Sequence, residues 1–261
     1  MWINQILKSV LFCFLILGIT ACGNSAQPIN EKQESQKNIN VQFKQAQNLF
    51  DSNQYSEAYK IYKKLVELGD AQSQNAFGNG YQYGYWGEVD LEQAKLWYEK
   101  AADQGYAGSI HNLGMFKFRA GEYKQALEFF EKAAALYNPE SLNIIGVYYS
   151  QGIIFQQDYD KALEYFYQAA KQNSRDAQFN IGQAYYYGHG VKQDYKQAYE
   201  WYIDSANQDY SLAQIQLADM YFEGEGIEKD VAKAIEIIKP LAELGDEKAK
   251  SNLQWYLDHP N

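Results

Sequence analysis

The chain has 261 residues, a formal net charge of −10 at pH 7, 46% hydrophobic residues and two cysteines, Cys13 and Cys22. Both cysteines fall within the first 22 residues, which excludes a disulfide framework, a thiol nucleophile or a Cys-ligated zinc site from the rest of the chain. The acidic balance argues against a nucleic-acid partner, because phosphate binding needs clustered Lys and Arg.

Residues 1–21 read as an export signal. Lys8 gives a basic start, Val10 to Leu17 form an apolar run, and Gly18 to Ala21 close it. The run is shorter than the ~20 residues of a membrane span and its flanks suit removal. Ile19-Thr20-Ala21-Cys22 resembles the bacterial lipobox. That resemblance implies lipidation of Cys22, removal of residues 1–21 and a lipid anchor in the cell envelope. Gly23, in place of the Asp that marks inner-membrane retention in that family, implies an outer membrane facing the periplasm. An uncleaved anchor, or an ordinary signal with Cys22 incidental, is the other reading of the same residues.

Residues 22–42 come next. From Asn24 to Asn40 the chain is rich in Gln, Asn, Ser, Lys and Glu and has no apolar periodicity. Such a segment cannot offset its ordering entropy by burial, so it predicts a flexible tether. A coil of this length would span on the order of 20–25 Å.

From residue 43 onward the chain repeats itself. Gly78, Gly114, Gly146, Gly182 and Ala218 follow one another at steps of 36, 32, 36 and 36. Ala58, Ala94, Ala126, Ala162, Ala198 and Ala234 give the same steps for a second helix. A fixed period in this range means stacked supersecondary units that share a continuous core. The expectation is an all-α fold: an α/α superhelical solenoid of six helix-turn-helix units over residues 43–257 as one elongated domain. Glu247 to Leu257 forms a capping helix and residues 258–261 a tail. Units one and three have short turns, Asp51-Ser52-Asn53 and Gly121-Glu122-Tyr123. The others have a longer loop ending in an Asp, with a Gly pair in units two, five and six, as in Gly188, Gly190 and Asp194, and with Gly152 alone before Asp158 in unit four. The glycines suit positive φ, and the Asp suits a helix cap or its preceding turn. Pro240 lies inside the last second helix and predicts a kink or break at Lys239.

No chemistry-bearing cluster stands out. His111, His189 and His259 lie in three separate places without metal-ligand spacing, and no Gly-rich phosphate loop follows a strand. No catalytic residue, metal or cofactor is expected. A stripe at −3, +1 and +4 from the recurring Gly is not set by the repeat pattern. It includes His111, Met115 and Phe118; Asn143, Val147 and Ser150; Phe179, Gln183 and Tyr186; and Ile215, Asp219 and Phe222. Its mix of amides, aromatics and apolar residues fits a partner-binding face. Packing between repeats is the alternative reading of the apolar members.

The recurring residues resemble the Sel1-like repeat family, a relative of the tetratricopeptide repeats. Ile181-Gly182, Tyr185, Gly188, Gly190-Val191, Asp194, Ala198, Trp201-Tyr202 and Ala206 carry the resemblance in the fifth unit. Trp97-Tyr98-Glu99-Lys100-Ala101-Ala102 and Gly105 carry it in the second. It implies a non-enzymatic protein–protein interaction scaffold, whose partner is another protein: a basic one of the envelope or a secreted lipase toxin. Sel1-like lipoproteins also resemble immunity proteins that neutralise lipase toxins delivered by type VI secretion. A cell-wall or β-lactam hydrolase is the contrasting class. The cysteine pairs of the penicillin-binding relatives are missing here.

Overall fold

The computed structural model describes residues 27–259. These form thirteen α-helices and no strand: α1 Gln27–Asp51, α2 Tyr55–Glu67, α3 Ala71–Gln82, α4 Leu91–Ala102, α5 Ala107–Arg119, α6 Tyr123–Ala135, α7 Pro139–Gln151, α8 Tyr159–Ala170, α9 Arg175–Tyr187, α10 Tyr195–Ala206, α11 Ser211–Glu223, α12 Val231–Glu243 and α13 Glu247–Asp258. The expected class, an all-α repeat of helix pairs, is the observed one. Residues 1–21 and Cys22 lie outside the described residues, as do residues 260–261.

Contacts divide the chain into two compact units, the first ending at Trp97 and the second beginning at Tyr98. The repeat period alone predicts one domain over 43–257. Stacked repeats touch only their neighbours, so compactness is local in such a chain.

In the first unit, α1 begins at Gln27, well before Phe43. Residues 27–42, read above as a coil, are therefore helical. Gln, Glu and Lys are good helix formers, but between Gln33 and Gln42 the side chains are exposed except at Ile39 and Gln42. Packing starts at Phe43, whose ring lies 5.6 Å from that of Tyr62. The core here is aromatic. The Trp86 ring lies 6.0 Å from Phe50, 5.5 Å from Tyr59 and 5.9 Å from Phe77, and its indole N–H donates to the Phe77 carbonyl at 2.9 Å. Gly80 admits that indole, since a Cβ there would overlap the ring.

In the second unit the pairs α5–α6, α7–α8, α9–α10 and α11–α12 pack as hairpins, each against the next, and α13 closes the series on α12. One device recurs in the first three of these hairpins. The glycine of the first helix lies under an aromatic ring of the second: a Cβ would lie 2.7 Å from Phe130 at Gly114, 2.6 Å from Phe166 at Gly146 and 2.5 Å from Tyr202 at Gly182. In the last hairpin Ala218 replaces the glycine, and the ring position holds Ile238, in the same core cluster.

The longer loops are built alike. Gly152, Gly188 and Gly224 end their helices in the left-handed region at φ 68°, 74° and 78°. The N–H groups of Asp158, Asp194 and Asp230 then bond the carbonyls of Tyr149, Tyr185 and Tyr221 at 3.0, 2.9 and 2.8 Å. The same three aspartates cap the following helices through their carboxylates, as expected for Asp194. Gly190 and Gly226 lie so close to the backbone of Tyr159 and Tyr195 that a Cβ would come within 2.9 and 2.6 Å of a carbonyl carbon. The loops after α9 and α11 therefore rest on the second helix of the preceding hairpin.

Pro240 does not break its helix: α12 runs on to Glu243. Proline removes the hydrogen bond to the carbonyl of Glu236. Both residues are exposed, so that carbonyl faces water rather than a dry core, and only one turn of helix follows.

Candidate functional site

The stripe singled out in the sequence serves mainly to join repeats. Ile215 is fully buried and Phe222 is 6% exposed. The Phe222 ring stacks on Tyr256 at 4.5 Å. These two cannot meet a partner, because their position on α11 faces the helices packed against it. Met115 packs against the cluster around Phe130, Ile145 and Tyr148. Phe118 lies 5.3 Å from Tyr123 and 6.3 Å from Tyr148. Phe179 lies 5.6 Å from Tyr202 and 5.3 Å from Tyr210. The apolar members thus follow the packing alternative.

His111 is half-buried. Its Nδ1 is 2.9 Å from Ser141 Oγ, and its ring is 5.5 Å from Phe130. Burial lowers its pKa, opposed by the charge of Glu140. A histidine beside a serine hydroxyl has the pairing of a base and a nucleophile. Ser141, however, is fully buried, so the contact ties α5 to α7 and offers no attacking group to solvent.

The polar members form a ladder across successive first helices. Asn180 Nδ2 donates to Asn143 Oδ1 at 2.8 Å. Gln183 Nε2 donates to Gln216 Oε1 at 3.4 Å, and Gln216 Nε2 to Asp219 Oδ2 at 3.2 Å. Asp219 Oδ1 accepts from Asn252 Nδ2 at 2.7 Å and from the hydroxyl of Tyr256. Burial raises the pKa of Asp219, opposed first by the hydrogen bond from Tyr256. Tyr186 donates to Glu225 Oε2 at 2.5 Å. Its own pKa rises through burial and then through that bond.

Every rung is half-buried. Amides held by their neighbours, but not sealed from water, offer both donors and acceptors to a ligand. The sequence reading found Asn143, Gln183 and Asp219 but missed their partners Asn180, Gln216 and Asn252. The signal was present: those three stand 36 residues apart.

Among the described residues no group of three or more His, Cys, Asp or Glu could hold a metal ion. No helix among them is long and apolar enough to cross a membrane.

Comparison with known proteins places this geometry. The Sel1 repeat model matches residues 71–106, 175–210 and 211–246, and a tetratricopeptide repeat model matches 106–175. A Sel1-like repeat-containing protein of Acanthamoeba polyphaga mimivirus is 32% identical over 76 residues, 29% of this chain and 14% of its own length. Among solved structures, a Sel1 repeat protein from Oxalobacter formigenes is 28% identical with TM-score 0.68, over 79% of this chain and 86% of its own. A protective antigen of uropathogenic Escherichia coli is 33% identical with TM-score 0.61, over 74% of this chain and 42% of its own. An immunity protein from Pseudomonas aeruginosa is 25% identical with TM-score 0.57, over 70% of this chain and 71% of its own. The chain spans only a small part of the mimivirus relative's length, but the periodicity, the hairpin geometry and these matches agree: it is built of Sel1-like repeats.

Proposed function

We propose that this protein is a non-enzymatic recognition module, held on the outer membrane by a lipid on Cys22, whose first helices bind one protein partner in the periplasm. The observation that carries the reading is the half-buried amide ladder from Asn143 to Asn252. Apart from the Asp219 carboxylate, its donors and acceptors are neutral amides, which suit the main chain of a bound polypeptide better than a reacting substrate. Residues 98–261 carry 24 acidic and 15 basic side chains, which favours a basic partner and its rapid association.

The test is a pull-down from envelope extract with the mature chain tagged at its C-terminus, beside the triple variant Asn180→Ala, Gln183→Ala, Gln216→Ala. One stoichiometric protein, lost in the variant, is expected. A partner retained by the variant would move the binding face elsewhere. Turnover of a β-lactam or of peptidoglycan by the purified chain would overturn the non-enzymatic reading. Radiolabelled palmitate incorporation, abolished by Cys22→Ser, tests the anchor.

A second reading has its own support. The likeness to the Pseudomonas immunity protein extends over 70% of this chain and favours an immunity role, for which the resemblance to Sel1-like lipoproteins implies a secreted lipase as the target. Co-expression with a lipase toxin encoded beside this gene should then restore growth, and growth arrest despite co-expression would remove this version.

A further inference from the structure

The interval between the fourth and fifth hairpins is left open. A cavity of about 220 Å³ lies between α7, α8 and α9, lined by Ser150, Tyr159, Phe166, Asn180, Ala184 and His189 among others. Gln151 and His189 on its rim are exposed, so it opens to solvent.

The next interval shows what is missing. Each lining residue has a counterpart 36 positions later: Ser150 becomes Tyr186, Tyr159 becomes Tyr195, Phe166 becomes Tyr202, Asn180 becomes Gln216, Ala184 becomes Met220 and His189 becomes Glu225. There, the ring of Tyr186 fills the space. It meets Tyr195 at 5.1 Å, and its hydroxyl donates to Glu225 at 2.5 Å. One repeat earlier the equivalent position is Phe118, against Tyr148 at 6.3 Å. In the open interval Ser150 supplies no ring, and Ala184 leaves the room that Met220 takes. The wall is otherwise complete. His189 stacks on Tyr159 at 4.4 Å and 9°, at the place where Glu225 accepts the phenol of Tyr186. A cavity of about 150 Å³ is enough for benzene in a protein interior.

We infer that this slot is a binding site for one aromatic side chain, a tyrosine in preference to a phenylalanine, with His189 accepting its hydroxyl. The ligand completes the repeat as Tyr186 completes the next. That the ring comes from a protein partner rests on the proposed recognition role; the slot itself does not.

The probe is p-cresol, titrated into the isotopically labelled mature chain and followed by NMR, with toluene as the comparison. Saturable shifts are expected at the side-chain amides of Asn180 and Gln183 and at the His189 ring, with toluene binding more weakly. Ser150→Tyr installs the missing plug. It should abolish the shifts while holding or raising Tm, since Tyr186 fits the same frame. If Ser150→Tyr fails to fold, Ala184→Met narrows the slot as Met220 does and carries the same expectation. No saturable shift in the wild type, or shifts that survive the plugged variant, would overturn the slot. Either result leaves the pull-down to decide whether the protein is a recognition module.

Discussion

The fifth hairpin, α9–α10, and the sixth, α11–α12, share a backbone but solve the same contacts differently. In the fifth, Gly182 lies under the Tyr202 ring; in the sixth, Ala218 shares a cluster with Ile238. The fifth carries the neutral Gln183 on its ladder, the sixth the carboxylate Asp219. The fifth sends Tyr186 forward to Glu225, while the sixth stacks Phe222 on Tyr256. The frame is thus set by helix length, caps and loop closure. Its interior accepts either a small residue under a large ring or two residues of middle size, provided that the pair changes together.

The sharpest way to break the comparison is Gly182→Ala. A methyl 2.5 Å from a fully buried ring forces overpacking that costs up to about 3 kcal/mol, read by urea unfolding. Adding Tyr202→Ile, which copies the sixth hairpin, should restore most of the loss. No recovery would mean that the two pairs are not interchangeable.

Asp219→Gln turns the sixth ladder into the fifth. Loss of the acceptor shared by Asn252 and Tyr256 should cost roughly 1–3 kcal/mol at pH 7. It should also alter the response to acid. Burial holds the Asp219 carboxyl above its ordinary pKa of ~3.9. The folded state therefore takes up its proton at higher pH than the unfolded chain, and this residue adds stability as pH falls through its folded pKa toward that value. The gap between wild type and variant should accordingly widen in the acid range. An unchanged gap from pH 7 to pH 4 would contradict this account.

Asp194→Ala removes a cap that accepts from Lys196 and Gln197 at 3.0 and 3.1 Å. The expected loss is about 1 kcal/mol. Asp230→Ala should lose about the same, since the sixth hairpin uses the same cap. The smallest effect belongs to Tyr186→Phe, which keeps the ring and gives up one hydrogen bond to the half-buried Glu225, where water can take its place: roughly 0.5 kcal/mol, read by urea unfolding.

These differences also mark what could be read without coordinates. The period, the helix pairs and the role of Asp194 follow from spacing, because each depends on backbone geometry that a few residue types satisfy. The glycine-and-ring pairing was half visible: small residues were expected at 114, 146 and 182, but not which ring each admits. The ladder was half visible too, since Asn180 and Gln216 stand one position off the chosen stripe and only the crossing of neighbouring helices brings them to Asn143 and Gln183. The helix over residues 27–42 was missed because periodicity reports burial, and a solvent-facing helix of Gln, Glu and Lys has none. Ile215 and Phe222 were misplaced for the opposite reason: a stripe marks one face of a helix without saying whether another helix covers it.

The loop closure has a consequence for how such a gene can change. Ser174 and Tyr210 precede α9 and α11 in the same role, 36 residues apart. Excision or duplication of residues 175–210 as a block would join like to like, with every Asp-to-Tyr closure and glycine seat re-formed. An indel of one residue inside 188–194 would break the same closure and lift the loop off Tyr159. Copy number should therefore drift freely among descendants of this chain, while spacing within a copy stays fixed.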